Sequence, residues 1–421
     1  AELVGPNQYR AKLDIRLPDY KQLVIGDRIE IEISQFIAAA TNGRNNYYGT
    51  TFLYIVGQGI VPWQGVTLPS GPPLDSYPLP EVAWLGGLTT LPYQYSNEPE
   101  HRFKQTAGNI APISAQPFML GRRLHHTDFG NGVHSETGNP VFADQVGKLG
   151  PYFIGRSCVD CHVNNGRALP PAVGAPMPQT VMKVGADALG SPHATLGSVL
   201  QTQANGAAAE GGVTISDFTV ITGQYGDGTS FSLRKPNYAF TGTTPQFFSA
   251  RLASPLVGLG LLEAVSESTI IAMADEEDAN SDGISGRFQK VTDPETGETR
   301  LGRFTGKGGQ SRLKHQIAGA LNTDMGVTTS VYPIPDGGTV PETPEVGDAD
   351  LDKLTRYVAL LGVSARRDLD SVQALQGEQL FNSANCAGCH APQLQTGPYH
   401  PMTELRNQTI RPFTDLLLHD M

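Results

Sequence analysis

The sequence predicts a mainly α-helical protein with long loops, preceded by a small, sandwich-like β domain. Three observations lead to this prediction. Apolar and polar residues alternate with period two near the start of the chain, which is typical of strands. Glycine and proline are frequent, with 48 and 31 among 421 residues, and this favours long loops. The clearest amphipathic helices lie in the last quarter of the chain.

The β region comes first. Residues Lys12–Arg16 and Arg28–Ser34 alternate apolar and polar side chains, and Thr51–Val56 is a β-branched and aromatic run that ends at glycine. Between Gly57 and Pro99 the chain is rich in proline and glycine. We therefore predict that residues 1–98 form a β-rich domain and a linker, and we find no ligand motif there.

The helices follow. One pattern lies near Ala349–Leu361, where Asp348 or Asp350 is suited to cap the start and Gly362 to end the helix. Its apolar stripe consists of Leu351, Leu354, Val358 and Leu361. A second helix is predicted from Ser371 to Phe381, just before a cysteine motif.

Composition limits the classes of function. A net charge of −11 argues against nucleic acid or anionic lipid as the main partner. No apolar run is long enough to span a bilayer, so no transmembrane segment is predicted. A length of 421 residues predicts two or three domains. Four cysteines are too few for a disulfide framework, so they indicate cofactor chemistry.

All four cysteines lie in two copies of one motif: Cys-Val-Asp-Cys-His at residues 158–162 and Cys-Ala-Gly-Cys-His at residues 386–390. Both match the attachment motif of c-type haem. Two thiols three residues apart can bond one porphyrin, and the next residue then lies where an imidazole can coordinate the iron. The residues assigned to two covalently bound haems c are Cys158, Cys161, His162, Cys386, Cys389 and His390.

Three other interpretations of the cysteine pairs fit less well. A four-cysteine zinc site would not need a histidine directly after each pair. Thioredoxin-like pairs lie between a strand and a helix, a context that neither pair has. Disulfides closing such short loops would add little stability.

Covalent haem attachment implies export, so we expect a periplasmic or extracellular protein. The chain opens at Ala1 with no visible signal peptide, as expected for a mature form. The reactivity depends on each sixth iron ligand, because a second strong ligand favours electron transfer and an open face permits chemistry on peroxide. Eight other histidines and seven methionines are available.

Four segments carry a resemblance to a known family: residues 121–130, 147–158, 258–264 and 415–421. They resemble the bacterial di-haem oxidoreductases described as peroxidases, which are sometimes labelled thiol oxidoreductases. That family is similar to the di-haem cytochrome c peroxidases. The resemblance covers about Pro99 to Met421. It implies two cytochrome c-like haem domains, which we place at residues 99–347, with a large insertion, and 348–421.

The resemblance also implies roles. The haem on Cys158 and Cys161 would be the peroxidatic one, and the second haem would donate electrons to it. His315 stands where similar peroxidases carry a catalytic glutamate, so it is either a distal ligand or an acid/base. The tryptophan expected to relay electrons is missing from the segment 302–307, which reads Gly-Arg-Phe-Thr-Gly-Lys.

The chain stops within a motif that continues in the family, so the second haem domain is expected to be incomplete. His419 and Met421 are the candidates for its distal ligand. A calcium ion is a further candidate cofactor. Asp278, Asn280 and Asp282 space oxygen ligands at alternate residues before a glycine, although an acidic turn is equally consistent with this pattern.

Two functions remain open from the sequence. The first is a di-haem c oxidoreductase that reduces hydrogen peroxide at the first haem, with electrons from a redox partner protein. The alternative is a non-catalytic electron-transfer protein that passes electrons between redox partners. The spin state of the first haem separates the two, because only an open iron binds peroxide.

Overall fold

A computed structural model describes residues 2–5, 8–16, 19–36, 47–66, 75–93, 102–281 and 283–420. The chain divides into two units by its internal contacts. Unit 1 comprises residues 1–122, 256–313 and 353–421, and unit 2 comprises residues 123–255 and 314–352. The domain boundaries expected at residues 98 and 347 stay a prediction.

The predicted fold class, mainly α with a small β domain, is wrong. The protein is 24% helical and 27% strand, with seven α-helices in the described residues. The physical reason lies in the region after residue 99, where hairpins form in segments that we expected to be loops. Many of their residues are exposed on both faces, so these strands lack the apolar alternation on which the prediction relied.

The helices are α1 (Pro112–His125), α2 (Cys158–Cys161), α3 (Leu259–Ala264), α4 (Glu267–Met273), α5 (Leu313–Met325), α6 (Asp348–Ala359) and α7 (Val372–Ser383). The strands are β1 (Glu2–Gly5), β2 (Gln8–Arg10), β3 (Arg28–Phe36), β4 (Tyr47–Ile55), β5 (Gly59–Val61), β6 (Trp63–Val66), β7 (Asp75–Pro78), β8 (Tyr152–Phe153), β9 (Thr180–Gly185), β10 (Gln203–Ala204), β11 (Gly211–Gln224), β12 (Ser230–Gly242), β13 (Phe247–Leu252), β14 (Ser285–Arg287), β15 (Gln289–Thr292), β16 (Thr299–Gly302), β17 (Leu394–Gln395), β18 (Thr409–Ile410) and β19 (Leu418–Asp420).

In unit 1, strands β3, β4 and β5 form a three-stranded antiparallel sheet. The alternating run from Arg28 is confirmed as a strand, and the run from Thr51 forms the end of β4. The expected strand at Lys12–Arg16 does not form, because only one bridge, Ile15 to Gln22, is made there. The sheet buries a small core of Leu53, Ile55, Val61 and Trp63.

Both predicted helices are present with shifted ends. Helix α6 starts at Asp348, and its apolar stripe is buried as expected. Helix α7 starts after Ser371, whose hydroxyl accepts a hydrogen bond from the Ala374 main-chain N–H at 3.5 Å. No residue of α7 is buried, and Leu380 is 67% exposed just before the second cysteine motif.

Unit 2 contains a long hairpin of β11 and β12, with one register shift between Ile215 and Asp217. Its turn closes with a hydrogen bond from Tyr225 N to Thr229 O at 2.8 Å, and Gly228 supplies the required positive φ of 84°. Only the base of the hairpin is buried: Val213 and Ile215 pack against the paired strands β9 and β13.

We find no helix among the described residues that is long and apolar enough to cross a membrane.

Candidate functional site

The first cysteine motif starts with a strongly capped turn of helix. Ser157 and Asp160 form a capping box around α2. One carboxylate oxygen of Asp160 accepts the main-chain N–H groups of Arg156 at 2.8 Å and of Ser157 at 3.0 Å. The N–H of His162 bonds the Cys158 carbonyl at 2.9 Å, so the motif is a single rigid turn.

The imidazole of His162 is oriented by the main chain. Its Nδ1 lies 2.9 Å from the carbonyl oxygen of Ser254. A carbonyl partner places the ring proton on Nδ1 and leaves the lone pair of Nε2 for a metal. Burial lowers the pKa of His162, and the carbonyl partner raises it, with burial as the larger cause. The ring is therefore neutral at pH 7, the form that binds iron.

The two thiols of this motif are not reactive thiolates. Burial raises the pKa of Cys158 and of Cys161 to about 12, and the nearby carboxylates of Asp160 and Asp324 add to the effect. Neither pair of cysteines is joined as a disulfide. Thiol exchange needs a thiolate, so this environment disfavours it.

The second motif repeats this arrangement in unit 1. The turn Cys386–Gly388 follows Asn385, whose φ is 58°, and the His390 N–H bonds the Cys386 carbonyl at 2.9 Å. The Nδ1 of His390 lies 3.0 Å from the carbonyl oxygen of Phe413. The ring of Phe381, at the end of α7, is 6.2 Å from the imidazole.

These features fit haem c at both motifs. In each, two cysteines that form no disulfide precede a histidine whose Nδ1 faces a carbonyl oxygen. At the second motif, the exposed apolar side chains of α7, such as Leu375 and Leu380, offer the surface that a porphyrin covers. Attachment through these six residues stays a prediction.

His419 and Met421 are the two candidate distal ligands of the second haem. His419 lies beside the attachment turn, with Nδ1 3.7 Å from Cys389 Sγ and Nε2 2.8 Å from Asp415 Oδ2. Both ring nitrogens thus have protein neighbours, so iron binding would require one of them to be released. Met421 lies outside the described residues. Both assignments stay predictions.

His315 is on helix α5 and is fully buried, so it is not a surface histidine. Its role as ligand or acid/base stays a prediction. At the candidate calcium loop, Asp278 has a φ of 49° and accepts the Gly283 N–H at 3.1 Å, which is an ordinary acidic turn. Asn280 is described, whereas Asp282 lies outside the described residues. Calcium there also stays a prediction.

Sequence reasoning missed a row of histidines in unit 2. His125 is 2% exposed, and its ring centroid lies 6.5 Å from that of His162 and 5.4 Å from that of His126. The next ring, His134, is 5.5 Å from His126. The adjacent pair His125-His126 was visible in the sequence, but nothing in the spacing linked it to His162.

A second missed pair lies in unit 1. His400 Nε2 is 3.1 Å from Glu263 Oε2, and the other oxygen of Glu263 accepts the Leu313 N–H at 2.8 Å. The Met402 N–H donates to His400 Nδ1 at 3.1 Å, which places the ring proton on Nε2, facing the carboxylate. His400 and Glu263 are 137 positions apart, so no local sequence motif indicates their contact.

Each unit holds one Cys-x-x-Cys-His turn with a carbonyl-oriented histidine, which is the arrangement expected of the class of di-haem redox proteins. The comparison with family models is consistent with this class. Residues 246–339 and 334–421 match the family described as "Di-haem oxidoreductase, putative peroxidase". The predicted resemblance is thus confirmed over residues 246–421, which match the di-haem oxidoreductase family.

The matched part comprises 176 of the 421 residues and includes the second motif, whereas the first motif lies before it. The family implies haem cofactors. No curated protein matches the chain, and neither does any solved structure.

Proposed function

We propose that the protein is an exported, periplasmic di-haem c oxidoreductase that reduces hydrogen peroxide at the first haem. The observation that carries the proposal is the same histidine-to-carbonyl arrangement at both motifs. The family match adds the oxidoreductase class and the relation to peroxidases. Export is part of the proposal because haem c is attached outside the cytoplasm.

The residues of this chain have separate tasks in this proposal. The four cysteines hold two haems, and His162 and His390 are the proximal ligands, each kept in one tautomer by its carbonyl partner. The lowered pKa of His162 favours the neutral imidazole, which is the form that binds iron. When bound, haem supplies one-electron redox chemistry at iron.

The overall reaction balances with two electrons and two protons. Hydrogen peroxide accepts the two electrons and the two protons, its O–O bond breaks, and two water molecules form. The electrons would come from a redox partner protein, and a haem held by Cys386, Cys389 and His390 would supply the one-electron redox chemistry for their transfer. His315 is the proposed acid/base for these protons, and its complete burial keeps bulk water away from it.

A redox titration of the holoprotein followed by electron paramagnetic resonance tests the function. We expect a high-spin ferric signal from the first haem in the resting or half-reduced protein, together with turnover of peroxide. If both irons are low-spin in every redox state and peroxide is inert, the enzyme is excluded and the non-catalytic electron carrier stands.

His315→Gln separates the two roles of that residue. As an acid/base, its loss lowers the rate of peroxide turnover and leaves the spin state of the resting protein unchanged. As a distal ligand, its loss converts a low-spin signal into a high-spin one. A variant with unchanged rate and unchanged spectrum would show that His315 has neither role.

A further inference from the structure

A second group of ligand-type side chains lies in unit 2, apart from the cysteine motifs. One ligand atom from each of His126, His134 and Glu136 lies within 4.8 Å of the other two. His126 is buried, and the other two are partly exposed. The haem assignments use none of these residues.

A short hairpin loop holds the three together. Thr127 and His134 form an antiparallel bridge, and the N–H of Ser135 bonds the His126 carbonyl at 2.8 Å. Gly132, with a φ of 73°, allows the chain to reverse. These backbone bonds put residues 126, 134 and 136 next to each other before any ligand binds, so binding costs little ordering entropy.

The loop itself is fixed by one carboxylate. Asp128 Oδ1 accepts the N–H groups of Gly130 at 2.6 Å and of Asn131 at 3.1 Å. Its other oxygen accepts the Arg156 Nε–H at 2.7 Å. The support around the cluster is therefore rigid on the side that faces the first cysteine motif.

The spacing of the ligand atoms suits a bridging cation. His126 Nδ1 lies 3.9 Å from Glu136 Oε1, which is beyond hydrogen-bond distance. A zinc ion bonds imidazole nitrogen at about 2.0–2.1 Å and carboxylate oxygen at about 2.0–2.2 Å, so one ion can reach both atoms. The rings of His126 and His134 have centroids 5.5 Å apart and are nearly parallel, at 13°.

We propose that His126, His134 and Glu136 bind a divalent transition-metal ion of the zinc type. Two imidazoles and one carboxylate form a mixed nitrogen–oxygen set that suits such ions, whereas calcium and magnesium take oxygen ligands. Because the Glu136 side chain is 31% exposed, the ion enters from solvent and keeps a water molecule at a remaining position.

Metal binding has to compete with existing hydrogen bonds. The Nδ1 of His134 accepts the Glu136 N–H at 3.1 Å and lies 3.2 Å from the Asn139 amide nitrogen. His126 Nδ1 also lies 3.2 Å from Ser135 Oγ, so a bound ion replaces contacts at both imidazoles. The site is accordingly an exchangeable one that a chelator empties.

The site also has a connection to the first motif. The row of rings runs from His126 through His125 to His162, with centroid steps of 5.4 and 6.5 Å. A divalent positive charge at the far end of this row of rings favours the reduced form of a haem bound at His162. If the proposed haem ligation is right, zinc therefore shifts the midpoint potential of the first haem to a more positive value.

Zinc titration of the chelator-treated holoprotein by isothermal calorimetry tests the site. We expect one equivalent of zinc per chain, unaffected by excess calcium or magnesium. Glu136→Gln and His134→Asn should each weaken binding by about tenfold or more, since even loss of an outer-shell partner costs about 10–100-fold. His193→Gln, in the same unit but outside the cluster, is the matched control and should bind zinc normally.

X-ray absorption at the zinc edge gives a second readout, with only nitrogen and oxygen neighbours expected. Absence of a stoichiometric zinc site, or equal affinity in Glu136→Gln, His134→Asn and wild type, overturns the proposal. Displacement of zinc by calcium also overturns it. Zinc binding and peroxide turnover are measured separately, so a failure of either proposal is recognised without the other.

Discussion

His162 and His390 each hold Nδ1 against a main-chain carbonyl oxygen, and this shared contact is the central feature at the scale of residues. The partners are Ser254, 92 positions away, and Phe413, 23 positions away. The two Cys-x-x-Cys-His motifs were recognisable from the sequence because each is local. The carbonyl partners were not predictable, since any residue can supply a carbonyl and only the path of the chain selects one.

His125 gives a prediction about pH. Burial lowers its pKa well below the ordinary value, and the neighbouring His126 and His162 add to the effect. In the unfolded chain His125 is protonated as the pH falls through about 6.5, whereas in the folded chain it stays neutral at that pH. Stability is unaffected above that pH and falls as the pH drops below it, by at most about 1.4 kcal/mol per pH unit for one proton.

Thermal unfolding of the holoprotein between pH 7 and pH 5 measures this slope. In His125→Asn the midpoint should depend less on pH over the same range, whatever its absolute value. His193→Gln serves as the control and should keep the wild-type slope. Equal slopes in His125→Asn and wild type would contradict the assignment of the acid sensitivity to His125.

At the scale of elements, the two predicted helices are present, whereas many of the observed strands were not predicted from the sequence. Ser371 caps α7, and the apolar stripe of α6 is buried, because caps and stripes are set by neighbours within two turns. The hairpin β11–β12 was missed, although Asp227-Gly228 between runs of β-branched residues is a hairpin signal. Both faces of its outer part are exposed, so burial did not leave a period-two pattern.

The hairpin gives a prediction about stability. Val220 pairs with Arg234, so replacing residues 221–233 by Asn-Gly leaves a two-residue turn between paired strands. We expect the shortened protein to keep its haem content and a midpoint of thermal unfolding close to that of the full chain. The reason is that the hairpin contributes Val213 and Ile215 to the core, both far from the removed tip.

Absorbance of the haems and differential scanning calorimetry provide the measurements. Val213→Ala, at the buried base of the same hairpin, is the contrasting variant and should be destabilised by a few kcal/mol, about 1–3, because it opens a cavity. A shortened protein less stable than Val213→Ala would refute this account of the hairpin.

At the scale of the whole molecule, each unit contains one attachment motif, and this predicts two haems per chain held independently. Changing Cys386 and Cys389 together to alanine should halve the covalent haem measured by denaturing mass spectrometry and pyridine haemochrome absorbance. The corresponding change of Cys158 and Cys161 should also leave one haem. Two haems in either variant would contradict the assignment.

The sequence by itself determined the two Cys-x-x-Cys-His motifs, the resemblance to the di-haem oxidoreductases and the positions of the main helices, because each depends on residues close together along the chain. Only the tertiary structure decided the balance of helix and strand, the carbonyl partners of both histidines and the neighbours of His125. These depend on which distant segments meet. A hydrogen bond to a main-chain carbonyl cannot be predicted from residue types, since every residue has a main-chain carbonyl.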